Sequence, residues 1–91
     1  MPRLKIQRCV QFNPEVTYFK PQGIPLRLLE EVVLMPDEVE ALKLYEVDGL
    51  EQTKAAEKMK ISQPTFARIL ASANKKVSEA LIKGKAIRME K

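Results

Sequence analysis

Between Ser62 and Gly84 the apolar side chains return every three or four positions. With successive residues turned by 100°, Ile69, Leu70, Ala73, Val77, Ala80 and Leu81 all fall within about 60° of Phe66. That spacing predicts a helix from Ser62 to about Ile82, roughly 30 Å long, with Gly84 as the left-handed residue after its last turn. A second stretch of the same period begins at Pro36, with Ala41, Leu42, Leu44 and Tyr45 on one side and Glu40, Lys43 and Glu46 on the other. Proline at the first helical position loses no hydrogen bond, Asp37 and Glu38 suit the positive end of the helix dipole, and Leu34 can staple onto Val39. Met35 is a poor cap for that helix; Gly49 ends it, with Leu50 folding back onto the apolar side. Between the two, EQTKAAEKM predicts a short helix near residues 52–59 with Ala55, Ala56 and Met59 turned inward.

The two ends of the chain follow a different period. RLKIQRCVQF, residues 3–12, places Leu4, Ile6, Val10 and Phe12 on one side and predicts a half-buried strand that includes Cys9. PEVTYFKPQGIP, residues 14–25, holds three prolines and a glycine and reads as an extended, turn-rich arm anchored by Tyr18 and Phe19. LRLLEEVV, residues 26–33, fits a short helical turn or a strand entry equally well. KAIRMEK alternates again and predicts a short terminal strand, paired with residues 3–12. The expected fold is mainly α: an arm over residues 1–35 packing on a three-helix unit at 36–84, then a strand or tail at 85–91.

The connection between the last two helices carries the first functional signal. Ser62 is placed as the N-cap, its hydroxyl accepting from the Thr65 N–H, so that Pro64 stands in the first turn, where its missing donor costs nothing. Pro64 therefore starts the helix. The turn before it is three to four residues, the length found in a helix-turn-helix. Counted from Gln52, that motif wants apolar residues at places four, eight, ten, fifteen and eighteen and a small one at five. Ala55, Met59, Ile61, Phe66, Ile69 and Ala56 fill them. Place nine, which favours glycine because its φ is positive, is Lys60, at a cost of about 1 kcal/mol.

Charge strengthens the signal. The chain of 91 residues carries a net +4, but residues 31–59 hold three basic and eight acidic groups and residues 60–91 hold eight basic and two acidic. A basic segment after an acidic one suggests one face for a polyanion and another turned away from it. The helix side opposite Phe66 presents Pro64, Arg68, Ala71, Ser72 and Lys75, with no acid until Glu79. In a major groove Arg68 can give two hydrogen bonds to guanine, Gln63 can read adenine, and Pro64 or Ala67 can touch a thymine methyl. Ser62, Thr65, Ser72, Lys75 and Lys76, at the start or flanks, are the candidates for phosphate contacts.

GIPLRLLEEVVLMPDEVEALKLYEVDGLEQTKAAEKMKISQPTFARILASANKKVSEALIKGKAI, with YFKP upstream, resembles a small uncharacterised family of predicted DNA-binding proteins of bacteria and archaea. Its helix-turn-helix is similar to region four of the primary-type sigma factors. The resemblance covers nearly the whole chain and implies a DNA-binding, transcription-factor role. The family pattern has Ser or Thr at Met35, Ser at Glu51 and Gly at Lys60, so this chain departs from it at two caps and a turn.

The expected function is sequence-specific binding of double-stranded DNA by a transcriptional regulator, as a homodimer reading two half-sites. The exposed terminal strands and the far end of the third helix are the two candidate pairing surfaces. In the arm, Arg3, Lys5, Arg8 or Lys20 could enter a minor groove, although Phe12, Tyr18 and Phe19 are better explained as cover for a thin core. The main rival is a protein-interaction adaptor using the acidic residues 37–51; RNA binding ranks third. Enzymatic activity ranks last, because the chain has no histidine and one cysteine, and neither a cofactor nor a metal is expected. With no apolar run near the roughly 20 residues that span a bilayer, and no secretory leader, the expected location is the cytoplasm.

Overall fold

The computed structural model describes residues 9–90. Its helices are α1 (Pro36–Leu42), α2 (Gln52–Met59) and α3 (Gln63–Lys83), and its strands are β1 (Tyr18–Phe19), β2 (Glu31–Leu34) and β3 (Ala86–Met89). The strands form one small sheet in the order β1-β3-β2, with β3 antiparallel to β1 and parallel to β2. The whole is mainly helical. The ambiguous stretch at residues 26–33 holds both expected forms in succession, a single 3-10 turn at Leu26–Leu28 and then β2.

The terminal strand lies where its alternation predicts it but has other partners. Residues 9–12 form no strand, Cys9 included. The Cys9 N–H donates instead to the Met59 carbonyl at 3.0 Å, and those of Gln11 and Phe12 donate to Glu40 Oε1 at 3.2 and 2.8 Å. These backbone donors are thus satisfied outside any ladder, while both edges of β3 are already taken by β1 and β2. The predicted segment before Cys9, with Arg3, Lys5 and Arg8, lies outside the described residues. Glu40 is correspondingly not on a solvated side: it is only 4% exposed, because its carboxylate is what holds the incoming chain.

Pro36 occupies the first position of α1 as expected, and the weakness of Met35 as a cap is offset from the other side. Glu38, three residues on, accepts the Met35 N–H at 2.8 Å, the half of a capping box that needs no side-chain oxygen at the cap. After Leu42 the helix widens into a π-type turn at Lys43–Val47, closed by Asp48 N–H to the Lys43 carbonyl at 2.8 Å and Leu50 N–H to the Leu44 carbonyl at 3.0 Å. Gly49, at φ 76°, makes the reversal. The widening is not visible in the apolar spacing.

The core has two parts. Ala41, Leu44, Ala55, Ala56, Met59, Phe66 and Leu70 form a closed cluster among the three helices, with Leu42, Tyr45, Leu50, Ile61 and Ile69 packed on it. Phe66 and Met59 are its largest fully buried side chains. Leu34, Val39 and Ala73 form a second cluster toward the sheet, joined by Val77, Ile87 and Met89. Leu81, which the periodicity assigns to the buried stripe, is 74% exposed. With 21 residues against seven and eight, α3 is far longer than the helices it packs on, and Ala80 is its last buried residue.

Candidate nucleic-acid interface

The connection from α2 to α3 is Lys60, Ile61 and Ser62. Lys60 adopts φ 59°, ψ 43°, and is the one non-glycine residue with positive φ among those described. Its N–H donates back to the Glu57 carbonyl at 3.0 Å, and Ile61 N–H to that of Ala56 at 3.1 Å, so the end of α2 is closed. All six inner places of the pattern counted from Gln52 face the closed cluster: Ala55, Ala56, Met59 and Phe66 are buried, and Ile61 and Ile69 are partly buried against them.

Ser62 caps α3, its Oγ accepting the Thr65 N–H at 3.2 Å. The same hydroxyl donates to Thr65 Oγ1 at 2.9 Å, and Arg68 Nη2 approaches that oxygen at 3.4 Å. Thr65 Oγ1 therefore accepts twice, and its own proton remains to be given elsewhere. A guanidinium has five N–H donors, so this one long contact leaves most of the Arg68 donors open to solvent. Ser62, Gln63, Pro64, Arg68, Ala71 and Lys75 are all exposed, while Thr65 and Ala67 are half-buried. No ion pair among the described residues engages Arg68 or Lys75. The first turn of α3 contains no acid to compete for an anion at its positive end.

Ser72 and Lys76 stand apart from this group. Their polar ends turn along the flank of α3 to Glu38 of α1: Ser72 Oγ donates to Glu38 Oε2, and Lys76 Nζ donates to Glu38 Oε1 at 2.8 Å and to the Val33 carbonyl at 2.7 Å. Burial alone pushes the Glu38 carboxyl up, but Lys76, the Met35 N–H and Ser72 together hold it below its ordinary value of 4.5. This arrangement is a clamp that fixes α3 against α1 and β2. Glu38 is the residue that the reading of the site missed. Its signal was a glutamate at the third helical position after Met35, where a capping carboxylate belongs.

On the far side of α3 the surface is of another kind. An open groove of about 870 Å³ is lined mainly by apolar side chains, among them Phe12, Val16, Phe19, Val47, Ile87 and Met89. Val77, which also lines it, projects from α3 about 180° away from Arg68. Among the described residues no group of three or more Asp, Glu, Cys or His side chains is placed to hold a metal ion, and no helix is long and apolar enough to cross a membrane.

A mainly helical domain whose longest helix carries an exposed cationic strip on one side and its core on the other is thus the class that the coordinates define. The chain belongs to the family described as protein of unknown function DUF134, whose model matches residues 1–91. It is 54% identical over 90 residues to the UPF0251 protein TTE1845 of Caldanaerobacter subterraneus subsp. tengcongensis, covering 99% of this chain and 76% of that protein. To a UPF0251 protein of Moorella thermoacetica it is 58% identical over 90 residues, 99% of this chain and 60% of that one. To the UPF0251 protein DET0218 of Dehalococcoides mccartyi it is 54% identical, over 99% of this chain and 77% of that one. The chain thus spans 60 to 77% of the length of these three relatives. No solved structure matches it.

Proposed function

We propose that this protein binds double-stranded DNA sequence-specifically, as a transcriptional regulator whose α2–turn–α3 unit acts as a sigma region-four-like helix-turn-helix and whose α3 enters the major groove. The observation that carries the reading is the contrast across one helix. Phe66, Leu70 and Ala73 are buried, while on the opposite side Arg68, Ala71 and Lys75 are exposed. Small side chains between cations let a helix approach base edges closely. Arg68, Gln63, Pro64 and Ala67 read the bases; Ser62, Thr65 and Lys75 hold phosphates. Ser72 and Lys76 are reassigned from phosphate contact to the clamp on Glu38, which keeps the recognition helix at a fixed angle. The protein acts as a homodimer in the cytoplasm, without a catalytic step or a cofactor.

The adaptor reading loses ground for a specific reason. Glu38 and Glu40, two of the acidic groups offered as its docking face, are buried and spent on internal partners. Titrating random duplex DNA across a salt series separates the two. DNA binding requires log K to fall linearly with log salt, at a slope of about −0.9 per phosphate contacted. Lys75→Ala should reduce that slope by about one, whereas Arg68→Ala should cost about 1 to 3 kcal/mol on a selected site. Salt-independent or absent duplex binding refutes the proposal.

A further inference from the structure

We infer that Lys60 is a further phosphate contact of the recognition unit, its ammonium holding the DNA backbone at the leading end of α3. The inference deepens the DNA reading and rests on it. Lys60 stands at φ 59°, ψ 43°, a conformation that glycine adopts freely and that a residue with a Cβ adopts at a cost. Glycines fill the other positive-φ positions among the described residues, at Gly23, Gly49 and Gly84. At this one turn the chain carries a cation instead.

Nothing within the fold offsets that cost. The backbone bonds that close the turn, Lys60 N–H to the Glu57 carbonyl and Ile61 N–H to that of Ala56, are ones a glycine would make equally well. The Lys60 side chain is exposed, and no ion pair among the described residues engages it. A strained residue whose side chain does nothing for its own chain points to a partner outside it.

The distribution of charge along α3 says which partner. Arg68 and Lys75 lie in the middle and at the far end of the strip, while the first turn, from Gln63 to Phe66, holds no cation. From Gln63 to Lys75 the helix rises roughly 18 Å, and a strip of that length, set obliquely in a groove about 12 Å wide, comes up to a phosphate backbone at each end. Lys75 serves one end. At the other, Lys60 stands two residues before Ser62, no more than about 7 Å of chain from it. Thr65, in the same turn, has its own hydroxyl proton still to give. A mobile ammonium beside an unspent hydroxyl donor, at the margin of the strip and not within it, suits a backbone phosphate rather than a base edge.

Duplex affinity measured by fluorescence anisotropy over a salt series tests the assignment, with random and selected duplexes in parallel. Lys60→Gly and Lys60→Asn both remove the charge, and both replacements accept the left-handed conformation. Each should bind about eightfold more weakly than wild type at about 0.1 M salt, on both duplexes alike, with a salt slope shallower by about 0.9. Lys60→Arg, which keeps the charge, should keep the slope. Lys60→Gly should at the same time unfold at a higher denaturant concentration, which separates a lost contact from a damaged turn. A wild-type slope in the Gly and Asn variants overturns the inference, as does a loss in Lys60→Arg equal to theirs. If the DNA reading itself is wrong, the wild-type chain shows no salt-dependent duplex binding; if Lys60 alone is misassigned, Lys75→Ala still lowers the slope while Lys60→Gly does not.

Discussion

The two parts of the core differ in how completely they are closed, and the difference separates support from exposed surface. Around Phe66 and Met59 the three helices leave no buried side chain of the cluster more than slightly accessible, so the orientation of α3 is set by close packing of its inner face. Toward the sheet, Leu34, Val39 and Ala73 are buried, but the same wall opens into the groove where Phe12, Val16, Phe19 and Val47 stay exposed. A domain of this size buries a limited fraction of its surface, and here that burial is concentrated behind the cationic strip. Rigidity where Arg68 is presented and openness on the other side of the same helix follow from one distribution of apolar residues.

The largest effect should come from opening the closed part. Phe66→Ala removes the biggest buried side chain and should cost about 3 to 5 kcal/mol in a denaturant melt. A loss under 1 kcal/mol would mean that the cluster is loosely packed and the comparison mistaken. Next comes the clamp between the two parts. Glu38→Ala leaves Lys76 and the Met35 N–H facing a buried gap, and should cost about 3 kcal/mol by the same melt. Because the Glu38 carboxyl is held below its ordinary value of 4.5, its contribution is fully present above that pH and is lost as pH falls through the lowered value. A melt series from pH 7 to pH 3 should therefore show wild type losing stability below about 4.5 more steeply than Glu38→Gln; parallel curves would dismiss the clamp.

Smaller changes sharpen the contrast. Lys60→Gly relieves a left-handed lysine while keeping both backbone hydrogen bonds of the turn, and should raise stability by about 0.5 to 1 kcal/mol. At the open wall, Val47→Ser should shift stability by no more than about 0.5 kcal/mol, since that side chain is largely in solvent. A cost of 2 kcal/mol there would show that the groove is filled in solution.

What could be read from the sequence was local. Ser62, Pro64 and Gly84 mark their own places in α3 through backbone chemistry that acts within four residues, and the left-handed turn at Lys60 follows from the same counting. The open outer side of Arg68 and Ala71 came from helical periodicity alone. Pairings across the chain were not legible. β3 alternates as a strand whatever lies beside it, so its parallel partner more than fifty residues upstream leaves no trace in the pattern. Ser72 and Lys76 look like solvated flank residues until Glu38, more than thirty positions away, is brought against them. Glu40 looks outward for the same reason, its partners being backbone N–H groups with no sequence signature. Leu81 shows the converse error, since periodicity reports a helix face but not where the neighbouring helices stop.

The central claim is tested most directly by mapping backbone amide shifts in the nuclear magnetic resonance spectrum as duplex DNA, selected from a random pool, is added. Perturbations should be concentrated from Ser62 to Lys75, with the amides of Val16, Phe19 and Val47 unmoved. Shifts centred on the groove, with Arg68 and Ala71 unchanged, would contradict it.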